Sequence, residues 1–135
     1  MTPALPTNER VALSPFHRFL GLVLARAEDG EIEIHMPLRP ELLRLDGSDW
    51  IHGGVISALI DIAGNYAVQT RSGAGVPTVD MRVDYLRPAR GNLRAIGRVI
   101  KAGRMLAVAD IELLNADGQQ VATGRAVYAM PQQDK

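Results

Sequence analysis

The segment His52-Gly53-Gly54-Val55-Ile56-Ser57-Ala58-Leu59-Ile60-Asp61-Ile62-Ala63-Gly64-Asn65-Tyr66-Ala67-Val68-Gln69-Thr70 decides how this chain can fold. From Gly54 to about Thr70, Val55, Ile56, Ala58, Leu59, Ile60, Ile62, Ala63, Tyr66, Ala67 and Val68 cover most of a helical surface. Such a helix is a rod of roughly 25 Å. A helix that is apolar nearly all round must be buried nearly all round, so the rest of the chain has to wrap it.

The flanks supply the wrapping. Ser72-Gly73-Ala74-Gly75 and Pro77 end the helix, and Thr78–Leu86 then alternates, with Val79, Met81, Val83 and Tyr85 on one face and Thr78, Asp80, Arg82 and Asp84 on the other. Further strands are predicted over Leu93–Lys101, Met105–Leu114 and Gln120–Met130, separated by the turn signals Ala102-Gly103 and Asp117-Gly118. Upstream, the apolar stretch Leu20–Ala27 and the alternating Glu31–Met36 flank Asp29-Gly30, a hairpin signal. A short helix is expected over Glu9–Leu13, ending before Ser14-Pro15, and residues 37–51 read as a loop. The expected fold is α+β: a five- to six-stranded antiparallel sheet around one long central helix. A lone copy would leave a strand edge open, and dimerisation through that edge removes the liability. The expected organisation is an N-terminal arm over 1–15, of which residues 1–10 are expected to be loose, one domain over 16–131 and a tail over 132–135.

Composition narrows the chemistry. The 135 residues contain no cysteine, which excludes disulfides, thiolate nucleophiles and cysteine-ligated metals. The three histidines, at 17, 35 and 52, have no metal-ligand spacing, so no metal and no cofactor are expected. Acidic and basic residues balance at 15 each and aromatic residues are scarce, against a nucleic-acid groove. No leader pattern or membrane-length apolar run is visible, so a cytoplasmic protein without a membrane partner is expected.

The helix carries one anomaly. Ser57, Asp61 and Asn65 recur every four residues, and Gly54 and Gly64 are read onto the same stripe. The plain alternative is the solvent face of an amphipathic helix. Yet between Gly54 and Gln69 there is no lysine, arginine or glutamate, and a lone carboxylate on a buried helix is costly unless used or paired. The entry His52-Gly53-Gly54 leaves amide hydrogens without helical partners, suited to a developing negative charge. A glycine-assisted turn into the helix is the alternative there. His52 reads as a residue that holds the loop rather than a base, since no serine or cysteine nucleophile stands beside it.

These residues carry a resemblance. The segment from His52 through Asp61 resembles the helix-opening motif of hotdog-fold thioesterases, specifically the phenylacetyl-CoA thioesterase-like (PaaI-like) branch. Thr78-Val79-Asp80-Met81-Arg82-Val83-Asp84-Tyr85-Leu86-Arg87-Pro88-Ala89 is similar to the family's next strand, and the tail with Gly103, Leu106-Ala107-Val108, Gly118 and Gly124-Arg125-Ala126 is also similar. The likeness spans about residues 16–130. It implies a hotdog acyl-CoA thioesterase for an aromatic or medium-chain acyl group. Asp61 would be the catalytic carboxylate, as general base or nucleophile, and Gly53 would give its N–H to the thioester carbonyl. Active sites would lie between the subunits of a homodimer, in a dimer-of-dimers tetramer, with Thr78 supplied by the opposite chain to position water. His52, Gly54, Ser57 and Asn65 would border the substrate, and Arg87 and Arg104 would meet the phosphates of coenzyme A. One departure stands out: Asp46 and Asp49 occupy positions where the family often has asparagine and glycine. Asp46 either sits beside Asp61, where two carboxylates would repel, or points to solvent. A hotdog enoyl-CoA hydratase or dehydratase using His52 with Asp61, and a non-catalytic acyl-CoA-binding hotdog protein, are the competing readings.

Overall fold

A computed structural model describes residues 2–132. Its elements are helices α1 (Asn8–Val11) and α2 (Pro15–Leu20), strands β1 (Val23–Glu28) and β2 (Glu31–Met36), a 3-10 turn at Pro40–Leu42, helix α3 (Gly53–Ser72), and strands β3 (Thr78–Tyr85), β4 (Leu93–Ala102), β5 (Leu106–Leu114) and β6 (Gln120–Ala129). The six strands form one sheet in the order β1-β2-β4-β5-β6-β3. Every pairing is antiparallel, and the sheet curls around α3 as the helix demanded.

Burial explains why this arrangement is stable. Ile56, Leu59, Ile60, Ala63, Ala67 and Val68 of α3 pack against Ile32, Ile34, Met36, Leu93, Ala95, Ile111 and Leu113 of the sheet. Each large aliphatic side chain removed from water contributes about 1.5–3 kcal/mol. The approach is close: a Cβ on Gly97 of β4 would stand 2.7 Å from the Ala63 carbonyl oxygen, so only glycine lets the helix lie that near the sheet. Gly64 was expected on the polar stripe, but it is buried and faces the sheet, against Tyr128 and Ile111. The stripe proper is Gly54, Ser57, Asp61 and Asn65.

The N-terminal region differs from expectation. Ser14-Pro15 does not stop a helix but starts one: the Ser14 side chain accepts the His17 N–H, and Pro15 takes a first-turn position that needs no donor. The preceding helix is α1, whose Val11 is buried. Asn8 ties it to β1, with Oδ1 accepting the Leu24 N–H at 2.7 Å and Nδ2 donating to the Leu24 carbonyl at 3.1 Å. Asn8, within the segment expected to be loose, is therefore docked. Of the expected tail, only Gln132 lies among the described residues.

Strand β3 forms one edge of the sheet. Thr78 pairs with Tyr128 but Asp80 pairs with Val127, so Val79 is a bulged extra residue. The bulge inverts the alternation read from the sequence: Thr78 turns to the helix side, where Met81 and Val83 also pack, and Val79 is left 58% exposed.

Candidate active site

Asp61 sits midway along α3 on the one face the sheet does not cover. Its Oδ1 accepts a hydrogen bond from Thr78 Oγ1 at 2.8 Å. This bond is made within one chain, so Thr78 reaches Asp61 without a partner; the bulge at Val79, which the sequence pattern hides, aims it there. Oδ2 of Asp61 has no hydrogen bond among the described residues. The carboxylate opens on a groove of about 590 Å³, walled by Phe16, His17, Ala58, Ile62, Asn65, Tyr66, Val76 and Pro77.

Two residues of this groove, Phe16 and His17, come from α2, which sequence reasoning missed. His17 Nδ1 lies 3.1 Å from the Val11 carbonyl oxygen and 3.3 Å from Tyr66 Oη. A carbonyl only accepts, so Nδ1 carries the proton and Tyr66 Oη shares it as a second acceptor. Burial raises the Tyr66 phenol above its ordinary pKa, opposed by the charge of Arg10. The signal that could have found this wall is Ser14-Pro15 itself, a helix-start signature.

The stripe residues on either side of Asp61 have structural partners. Asn65 Nδ2 donates to the Val76 carbonyl at 2.7 Å, and its Oδ1 accepts from Gln69 Nε2 at 2.9 Å. Asn65 therefore fastens the α3–β3 connection while also lining the groove. Ser57 Oγ donates back to the Gly54 carbonyl at 3.1 Å, which occupies its proton and leaves no base beside it.

The helix entry is more specific than two glycines imply. His52 Nδ1 accepts the Gly54 N–H at 2.8 Å, and the His52 carbonyl accepts from Val55 and Ile56 at 3.0 and 3.2 Å. His52 is thus the helix cap. Gly53 is left as the first-turn amide without an acceptor among the described residues. Tyr85 covers it from β3, its hydroxyl donating to the Gly53 carbonyl at 3.0 Å. Gly53 opens on a second groove of about 380 Å³ lined by Arg44, Trp50, Ile56, Tyr85, Leu86 and Arg87. Trp50 is clasped there, with the Arg44 guanidinium 4.3 Å and the Arg90 guanidinium 5.2 Å from its ring centre. Arg90 also pairs with Asp49 at 3.0 Å. Arg44 and Arg87 have no carboxylate partner among the described residues.

Positions within one chain bear on several of the expected site residues. Gly53 and Asp61 stand eight residues apart on α3, which is ~12 Å along its axis, so one chain does not bring them to one substrate carbonyl. His52 is one residue farther, which rules out a His52–Asp61 dyad in one chain. Arg87 and Arg104 do not share a mouth either. Tyr85 pairs with Ala122 and Leu106 with Ala129 on β6, and that stretch of strand spans ~23 Å. Arg104 lines a separate cleft with Lys101, Gly103, Met105 and Leu106. Asp46 is exposed in a turn closed by Ser48 N–H to the Leu45 carbonyl at 3.1 Å, and it does not line the Asp61 groove. Of the two positions open to it, the solvent one holds within a chain. Among the described residues, no three His, Asp or Glu side chains are grouped to hold a metal ion, and no helix is long and apolar enough to cross a membrane.

Comparison with known proteins places the fold. The family model described as Thioesterase superfamily matches residues 50–122, from Trp50 through both candidate residues of α3 to Ala122. The medium/long-chain acyl-CoA thioesterase YigI of Salmonella typhimurium is 34% identical over 132 residues, covering 84% of each chain. A solved structure described as a protein from the thioesterase superfamily is 42% identical, with a TM-score of 0.87 over 92% of this chain and 95% of its own. The Escherichia coli PaaI protein, from the phenylacetic acid degradation operon, shares the fold at a TM-score of 0.81 and 24% identity, covering 92% of this chain and 91% of its own. A six-stranded antiparallel sheet around one long helix is the hotdog fold, and this chain belongs to the thioesterase superfamily as a thioester hydrolase.

Proposed function

We propose that the protein hydrolyses the thioester of an aromatic or medium-chain acyl-CoA by carboxylate-assisted attack of water. The observation that carries this reading is Asp61: a carboxylate on a largely apolar helix, with Oδ1 held by Thr78 and Oδ2 without a hydrogen bond among the described residues, on a groove with both apolar and polar walls. In the proposed reaction Oδ2 takes a proton from water as the water oxygen bonds to the thioester carbon. Thr78 Oγ1, its own proton committed to Asp61, accepts the second water hydrogen and orients it. The carbonyl oxygen becomes an oxyanion, and collapse breaks the C–S bond, with the proton passing to the departing thiolate. General-base assistance of this kind contributes about 10²–10⁴-fold. No metal or redox group has a part in the proposed steps.

The oxyanion donor is the free Gly53 N–H. It must lie within about 3 Å of the oxyanion, whereas Gly53 and Asp61 of one helix are ~12 Å apart. The proposal therefore takes a homodimer as the working unit: Asp61 and Thr78 from one chain, Gly53 from its partner. The Gly53 groove, with Arg44 and Arg87 beside an apolar floor, suits the pantetheine arm and phosphates of coenzyme A. The acyl group then lies in the Asp61 groove, whose volume fits a medium-sized apolar ligand.

The test is thiol release from a panel of aromatic and short-to-long acyl-CoAs, comparing wild type with Asp61→Asn. A loss of about 10²–10⁴-fold in kcat, with fold and oligomeric state retained, supports the assignment. Equal activity in both proteins refutes the role of Asp61. No release from any thioester by folded wild type refutes the function.

A further inference from the structure

We infer that Tyr128 is a positioning residue for Asp61, admitted to the helix by the missing side chain of Gly64. The inference rests on the proposed thioesterase reaction and names a group outside its substrate-contacting set.

Three observations converge on this. Tyr128 is fully buried, and its hydroxyl donates to the main-chain carbonyl of Asp61 at 2.8 Å. Tyr128 is also the cross-strand partner of Thr78. Two paired residues on adjacent strands thus grip one helix residue: Thr78 holds the carboxylate and Tyr128 holds the backbone from which it springs. Finally, a Cβ on Gly64 would stand 2.3 Å from Tyr128 Oη, 3.2 Å from Cζ and 2.9 Å from Ile111 Cδ1. The phenol oxygen occupies the place of a side chain, so the bond and the glycine require one another.

The consequence for catalysis is geometric. A helix packed only by aliphatic side chains can roll or slide by a fraction of an ångström at little cost, because dispersion contacts are weak singly and not directional. A hydrogen bond from the sheet to the Asp61 carbonyl removes that freedom where the carboxylate is attached. Displacements near 1 Å at a reacting group can lower rates by about a hundredfold. The phenol remains a donor throughout: burial first, and the charge and hydrogen bond of Asp61 second, push its pKa well above the usual phenol range.

The experiment measures kcat and KM for the best acyl-CoA with wild type, Tyr128→Phe, Gly64→Ala and the double variant, with thermal melts on each. Tyr128→Phe keeps the ring and removes the oxygen. We expect kcat to fall about tenfold or more and KM to change little, because a fully buried group does not touch substrate. Gly64→Ala drives a methyl into the phenol oxygen, so it should lower kcat by a similar factor alone and add little to Tyr128→Phe, whose nearest ring atom is farther away. A merely structural role would instead lower the melting temperature and leave kcat of the folded enzyme unchanged. Unchanged kcat in active Tyr128→Phe, or a Gly64→Ala effect equal in both backgrounds, overturns the inference. If Tyr128→Phe does not fold, Gly64→Ala decides alone, since it displaces the same oxygen and keeps the ring. Folded wild type that releases no thiol overturns the thioesterase reading, and this inference with it.

Discussion

The proposed two-chain site makes a sharp prediction for subunit mixing. Gly53→Pro deletes the N–H proposed to hold the oxyanion, at a position whose backbone suits proline. Proline is favoured at the first helical position. His52, at φ −58° and ψ 135°, already has the conformation that a residue before proline prefers. A Cβ on Gly53 meets Tyr85 Cε1 at 3.6 Å, an ordinary contact. Losing one oxyanion donor costs ~3 kcal/mol, or about 10²–10³ in kcat, so Gly53→Pro and Asp61→Asn should each be nearly inactive. In a symmetric dimer made of one chain of each kind, one site pairs the intact Asp61 with the intact Gly53 and the other lacks both. Random 1:1 mixing makes half the dimers mixed, each with one good site of two, so about a quarter of wild-type activity should return. The assay is co-refolding from urea, with the mixed species verified by native mass spectrometry, followed by thiol release. Verified mixed dimers with no recovered activity would refute the shared site.

Two further outcomes follow from other parts of the structure. Arg44→Gln and Arg87→Gln should raise KM for acyl-CoA by roughly tenfold, as expected for the loss of one charge-assisted hydrogen bond, and leave KM for the matching acyl-pantetheine unchanged. Parallel rises for both substrates would show that these arginines shape the groove rather than meet phosphates. On the outer sheet face, Arg125 donates to Asp110 through Nε at 2.6 Å and Nη2 at 2.8 Å, which holds the Asp110 carboxyl below its ordinary pKa. A folded-state value below the unfolded one gives stability that is full above the unfolded pKa near ~4 and fades as pH falls through the folded value. Both groups are substantially exposed, so solvent screens the pair and its contribution is small. The gap in urea midpoint between wild type and Asp110→Asn should therefore narrow from pH 6 toward pH 3; a gap independent of pH would refute the assignment.

How far the sequence was legible depended on the range of the forces involved. Helix α3 was readable because its apolar surface runs nearly all round, which is a local property. Asp61 was readable because it breaks that surface. The strands and their turns followed from alternation and from Asp-Gly and Ala-Gly pairs. Thr78 was placed on the wrong face because one bulged residue, Val79, inverts a period of two, and nothing local marks it. Helix α2 was missed because Ser14-Pro15 was read as a stop when serine and proline in that order also start a helix. The distance between Arg87 and Arg104 was invisible because it depends on strand register. Tyr128 gave no signal at all: its partners lie 67 residues back on α3 and across the sheet on β3.

The edge strand β3 links the two halves of the proposed site and explains how a dimer would join them. At its start Thr78 holds Asp61, and at its end Tyr85 covers Gly53. Along β3 the order is thus Asp61's groove first and Gly53's groove last. Two copies of this strand paired antiparallel about a two-fold axis would set the start of one beside the end of the other, with strand axes about 4.8 Å apart. That operation brings the Thr78–Asp61 end of each chain to the Tyr85–Gly53 end of its partner, and it does so twice. Val79 and Tyr85, 58% and 57% exposed on this edge, would lose that exposure in the same step. Each chain would then offer an acid-bearing groove to the acyl group and a cationic groove to the carrier, and no single chain could use both on one substrate. The orientation of the thioester would be set by the pairing of the edges rather than by any residue contacting it.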